Sequence, residues 1–141
     1  LTVDVGAAGV AAVGIGAGIA VPSLLVARRA ANESAAIGTV RTLASAEATF
    51  KSRHGRYATI GELASKGFVE IGEGEVRFGY EFRTVRATRT TFEIAAVPTG
   101  GLTGDRSFNV VEDFVIRYAE GRVAPQRTSG RVLGAPSDDD H

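Results

Sequence analysis

Val5-Gly6-Ala7-Ala8-Gly9-Val10-Ala11-Ala12-Val13-Gly14-Ile15-Gly16-Ala17-Gly18-Ile19-Ala20-Val21-Pro22-Ser23-Leu24-Leu25-Val26-Ala27 contains no charged side chain. As a helix rising ~1.5 Å per residue, this run would reach ~34 Å, against a bilayer hydrocarbon core of ~30 Å. It is dilute for an ordinary anchor. Gly6, Gly9, Gly14, Gly16 and Gly18 interrupt it, and each interior glycine costs a helix ~1 kcal/mol relative to alanine. Pro22 removes a backbone donor, clashes with the carbonyl four residues back and biases Val21 away from helical angles. A soft or broken helix is therefore expected between Gly14 and Pro22. The Gly14 and Gly18 pair has small-xxx-small spacing, which lets helix backbones approach closely. The run is thus expected to enter lipid and also to pack on other helices.

Working outward, Asp4 stands at the polar edge of the run, where an acid in the first turn is favoured by the helix macrodipole. Arg28-Arg29 follows it, a basic pair of the kind found at membrane edges. From residue 30 to 53 the pattern turns amphipathic. Ile37, Val40, Leu43, Ala44 and Phe50 recur at three- and four-residue spacing, with Asn32, Glu33, Thr39, Arg41, Thr42, Lys51 and Arg53 largely on the other face. Glu47 interrupts the stripe and is expected to flank it with its carboxylate in water. No breaker but Pro22 separates the two halves, so one N-terminal helix of about fifty residues is expected, apolar over 1–27 and amphipathic over 28–54.

Gly55 is placed to end that helix. Thr59-Ile60-Gly61-Glu62 has capping-box spacing and opens a short helix over 60–66. From Glu75 the period becomes two: Val76, Phe78, Tyr80, Phe82 and Val85 alternate with charged residues as one strand with a buried face. Residues 91–97 form a second strand, stopped by Pro98. A glycine-rich loop, Thr99-Gly100-Gly101-Leu102-Thr103-Gly104-Asp105, leads to a third strand over 107–111 and a fourth over 114–119, with Glu112-Asp113 as a tight turn. Connections this short favour an antiparallel meander. The head is expected to span 55–122. Residues 123–141, poor in apolar side chains, read as a mobile or surface-lying tail.

Sixteen basic residues balance sixteen acidic ones, so no long-range field favours nucleic acid. Cysteine is absent, which excludes a disulfide framework and thiolate metal sites. Methionine is absent as well, as expected of a chain matured by proteolysis at Leu1 or otherwise trimmed. Gly14-Ile15-Gly16-Ala17-Gly18 lacks the third glycine of a dinucleotide loop, since Ile19 occupies that place. His54 and His141 lie on a helix end and a tail, with no nucleophile or base beside them in the pattern. Asp138, Asp139 and Asp140 offer oxygen ligands but no matching calcium loop. No catalytic residue, cofactor or metal is expected.

Leu1-Thr2, Gly14-Ile15, Ala17, Ile19-Ala20 and Pro22, followed by Ser23-Leu24-Leu25, Ala27-Arg28 and Ala30-Ala31-Asn32-Glu33, resemble the N-terminal half of type IV pilins and of the pseudopilins of type II secretion. Tyr57 before a short helix, and Gly104-Asp105-Arg106-Ser107-Phe108 leading into Val115-Ile116-Arg117-Tyr118, are similar to the globular ends of that group. The likeness is specific over about the first sixty residues and loose afterwards. It implies cleavage by a prepilin peptidase just before Leu1, often with methylation of the new amine, and export by a pilus or secretion assembly machinery. It implies residence in the bacterial inner membrane before assembly. Afterwards, an extracellular helical filament of identical copies would form at the cell surface, its core made of the N-terminal helices. One departure stands out, because the family usually has glutamate where this chain has Val5. Asp4 is the nearest acid, about 100° away around a helix, and the expectation is that it pairs with the Leu1 amine.

The fold expected from all this is α+β: a long N-terminal helix packed by its second half on an antiparallel sheet of about four strands. The function expected is that of a structural pilus subunit, with Leu1 processed and Asp4, Val5, Gly14, Gly18 and Pro22 in the assembly interface. A secretion pseudopilin, a minor or priming pilin and a plain signal-anchored membrane protein are the alternatives.

Overall fold

The computed structural model describes residues 17–134, with side chains from Ser23 onward. Helix α1, Ala17–His54, runs through Pro22 without a break. The break expected as one alternative between Gly14 and Pro22 does not occur from Ala17 on, because one missing ladder hydrogen bond is a local defect in so long a helix; Gly14 and Gly16 lie outside the described residues. Val40, Leu43, Ala44 and Phe50 are buried, as their spacing predicts, whereas Ile37 is only half-buried and Ala36 beside it takes the core position. Lys51, Arg53 and His54 occupy the last turn, where positive charge meets the negative end of the helix dipole. Helix α2, Ile60–Ser65, is capped by Thr59, whose side chain accepts from the Glu62 N–H at 3.1 Å. The predicted reciprocal arm is missing: the Glu62 carboxylate instead takes a two-pronged bond from Arg56, at 2.8 and 2.6 Å.

The sheet corrects the expectation of about four strands, since it has six. They are β1 (Val76–Arg77), β2 (Tyr80–Ala87), β3 (Phe92–Pro98), β4 (Arg106–Val111), β5 (Ile116–Glu120) and β6 (Arg131–Val132). Neighbours in sequence are neighbours in space, every pair antiparallel. The two additional strands, β1 and β6, escape the sequence pattern for different reasons. The run from Val76 to Val85 reads as one strand because its alternation continues through a turn. Yet Phe78 and Gly79 adopt left-handed angles, φ 58° and 74°, and fold Val76 back opposite Glu81. Phe78 is consequently exposed rather than buried. Val85 leaves the buried face too, at a register shift between Thr84 and Arg86. β6 comes from the segment expected to be a tail. It pairs Arg131 with Tyr118, and the Leu133 N–H donates to the Ile116 carbonyl at 2.9 Å. Strand pairing uses backbone groups that every non-proline residue carries, so a polar composition does not forbid it.

Tyr80, Phe82, Phe92, Ile94, Phe108 and Val110 form the core with the α1 stripe. The alternate positions Glu93, Ser107 and Asn109 face away from the helix, yet they are buried as well. Residues 121–130 cover them. Ser107 Oγ donates to the Gly121 carbonyl at 2.6 Å, Glu93 accepts from the Arg127 N–H at 2.9 Å, and Asn109 donates to the Arg127 carbonyl at 3.0 Å. The Arg127 guanidinium pairs with Glu112. This part of the predicted tail is a strap across the back of the sheet.

Gly104 is packed against the buried Tyr80, whose hydroxyl donates to the Arg106 carbonyl at 2.6 Å. A methyl group at Gly104 would overlap the Tyr80 ring and hydroxyl. Gly104→Ala is therefore expected to cost about 3 kcal/mol, measurable as a lowered midpoint in urea unfolding.

Candidate assembly surface

Helix α1 outruns the head. At ~1.5 Å per residue its 38 residues extend ~57 Å, whereas the first ties to the head from the N-terminal side lie at Arg29, Asn32 and Glu33. Arg29 Nη1 stands 3.8 Å from an Asp105 carboxylate oxygen. Asn32 Nδ2 donates to the Thr103 carbonyl at 2.9 Å. Glu33 is the centre of the junction: one carboxylate oxygen accepts from the backbone N–H groups of Asp105 and Arg106 at 2.8 and 3.0 Å, the other from Arg106 Nε at 3.0 Å. Arg106 lies in turn over the Tyr118 ring, 4.7 Å away. Three charge-assisted bonds thus clamp the glycine-rich loop onto the helix where the helix leaves the head.

From Ser23 to that clamp the helix is largely exposed. Leu24 and Val26 are 57% and 64% exposed. Along the solvent side of the same helix, Ala27, Ala31, Ser34, Gly38, Ser45 and Ser52 are exposed, a line of small side chains. The Thr42 and Thr49 hydroxyls on this side donate to their own helix, to the carbonyls of Gly38 and Ser45 at 3.1 Å each, and the exposed Arg41 is the one charged side chain between Gly38 and Ser45. Among the described residues, no helix is long and apolar enough to cross a membrane.

Farther along α1 lies Glu47, which is fully buried. The sequence-based expectation of a carboxylate in water fails because Glu47 holds the loop after the helix, accepting from the Ala58 N–H at 2.8 Å. Its second oxygen has no partner. Burial pushes its pKa up to about 7; the Ala58 hydrogen bond opposes the rise and the Glu62 charge adds to it. The neighbouring Tyr57 phenol is raised too, by burial and by Glu112 and Glu47.

A groove of about 510 Å³ runs between α1 and β5 and is lined by Arg41, Ala44, Ser45, Ala48, Phe114, Val115, Ile116 and Leu133. Among the described residues no cluster of histidine, cysteine, aspartate or glutamate is arranged to hold a metal.

Of the residues named from sequence, Leu1, Asp4, Val5 and Gly14 lie outside the described residues, and Gly18 and Pro22 lie in the α1 backbone. Sequence reasoning missed the junction residues, although a signal was present: Glu33, Val40 and Glu47 are spaced seven apart. An acid at heptad spacing from a buried valine lies on the buried face. The chain matches no known family model, and no curated protein matches its sequence.

Proposed function

We propose that this chain is a structural subunit of a type IV pilus-like filament, held in a membrane by its apolar N-terminal run and assembled by packing of α1 between copies. The observation that carries this reading is a helix projecting from a compact head with Leu24 and Val26 exposed and a solvent side of small residues. Small side chains let helices approach closely, which is how association proceeds where no water is left to drive it. A helix end on one copy that meets a different surface on the next makes a heterologous contact, and such contacts propagate as open helical polymers. The N-terminal sequence features that resemble pilins support the same reading. The Glu33 clamp suits it, because a head carried on a loaded helix needs a stiff attachment.

Electron microscopy of material sheared from cells, with mass spectrometry of its N-terminus, tests the proposal. Filaments built of a chain that starts at Leu1 are expected. A product that stays in the membrane fraction with residues ahead of Leu1 would leave a plain membrane anchor instead. Within the filament reading Asp4 neutralises the Leu1 amine, because a charge in an apolar core needs a partner. Asp4→Ala is expected to abolish or sharply reduce filaments by the same microscopy, and normal filament yield would rule that role out.

A further inference from the structure

The pole of the head from which α1 emerges has a second apolar feature. The β1–β2 turn presents Phe78, 49% exposed at φ 58°, in a backbone conformation that a bulky side chain seldom adopts. Beside the turn runs the loop of residues 99–105, with Leu102 62% exposed. Turn and loop are packed as one unit. The Thr99 N–H donates to the Gly79 carbonyl at 2.8 Å, and a Cβ on Gly79 would lie 2.6 Å from Thr103. The same loop is tied to α1 through Asn32 and Arg29. Phe78 and Leu102 therefore flank the point where the helix leaves the head. Strain of this kind persists where the surrounding structure fixes it, and here the packing of turn on loop holds the Phe78 ring outward at this pole.

Resting on the reading that the apolar run enters a membrane, we infer that this pole is a lipid-contact surface: Phe78 and Leu102 dip into the headgroup region of an anionic phospholipid bilayer while Arg28 meets its phosphates. Distance along the helix supports the choice of lipid. Asn32 follows Ala27, the last residue of the apolar run, by five positions, which is ~7.5 Å of helix. The headgroup layer on each side of the hydrocarbon core is itself ~5–7 Å thick. With the run in the core, Asn32 stands at the outer edge of that layer, and the loop it holds lies within side-chain reach of it. Charge is consistent with this. The stalk between the run and the clamp carries Arg28 and Arg29; Arg29 faces Asp105 of the loop, which leaves the exposed Arg28 as the basic group for anionic lipid.

The opposite pole supplies an internal control. Phe114 is likewise left-handed, φ 62°, and 43% exposed. Its ring lies 5.6 Å from that of Phe92, which in turn is tilted against Tyr57 just past the end of α1. β3 begins at Phe92 and ends beside the stalk-side loop, so ~20 Å of strand separates the two poles.

The chain has no tryptophan, so single substitutions report alone. Full-length Leu24→Trp, Phe78→Trp, Leu102→Trp and Phe114→Trp chains would be reconstituted in phosphatidylcholine–phosphatidylglycerol vesicles brominated at shallow or deep acyl positions. Loss of fluorescence is expected for the first three and none for Phe114→Trp, with Phe78→Trp and Leu102→Trp quenched more by shallow than by deep bromines. Quenching of Leu24→Trp alone would overturn the inference and leave the membrane-held subunit standing. A blue-shifted but unquenched signal from Phe78→Trp would overturn it in favour of contact with another copy. Absence of quenching in all four would remove the membrane stage and this inference together.

Discussion

Replacing Glu33 by alanine is expected to lower the unfolding free energy by about 3 kcal/mol, the low end of what is lost when one member of a buried ion pair is removed. Its side chain is largely buried, and that of Arg106 more exposed, which places the effect at that end. Three donors lose their acceptor at once: the N–H groups of Asp105 and Arg106 and the Arg106 guanidinium. Each buried donor left unpaired carries a desolvation cost that the folded chain has no other group to meet. Glu33→Gln keeps an oxygen for the backbone donors and loses the negative charge that faces Arg106, so an intermediate loss is expected. Chemical unfolding of the detergent-solubilised chain measures both, and hydrogen exchange locates the damage. The Asp105 and Arg106 amides should exchange faster in Glu33→Ala while the β3 amides keep their relative protection. Unchanged stability in both variants would mean that the helix and the head are held together elsewhere.

Glu47→Gln is expected to do the opposite, and only at high pH. In the fold the Glu47 carboxyl titrates at about 7, against an ordinary value of 4.5. The protonated form is thus the one the fold prefers. Its full contribution is present below pH 4.5, is lost as the pH rises towards 7, and above that the buried carboxylate costs about 3 kcal/mol. Glutamine retains an acceptor for the Ala58 N–H and never ionises. Near pH 4 the variant should match the parent chain, and near pH 8 it should be more stable by about 2–3 kcal/mol. Unfolding midpoints across that range decide the matter, and a difference independent of pH would show that Glu47 does not ionise in place. Glu47→Ala serves as the contrast, because it deletes the acceptor as well and should destabilise the α1–α2 loop at low pH.

Those parts of the fold that are legible in the linear chain rest on spacing within one segment. The stripe Val40, Leu43, Ala44 and Phe50 reports its own helix, Thr59 reports its own cap, and the runs at 91–97 and 107–111 report their own strands. Each is a repeat of fixed period whose apolar face must be covered by something. The turn at Phe78-Gly79 is hidden by that same logic, since alternation carries across it and phenylalanine is not a residue expected at positive φ. The strap and β6 are hidden because their stabilisation is hydrogen bonding to groups that hydropathy does not register.

The candidate surface divides in the same way. Its apolar run, the basic pair that ends it and the small side chains along α1 are properties of consecutive residues and are evident in the amino-acid order. The clamp is not, because Glu33 becomes a buried acceptor only when the fold brings Asp105 and Arg106 to it from more than seventy positions away. Glu47 likewise becomes an acid of raised pKa only once the loop at Ala58 closes over it. Periodicity is a property of neighbours along the chain and can be read there. Whether a carboxylate meets water or an N–H group depends on the packing of distant segments, and three-dimensional packing alone settles it.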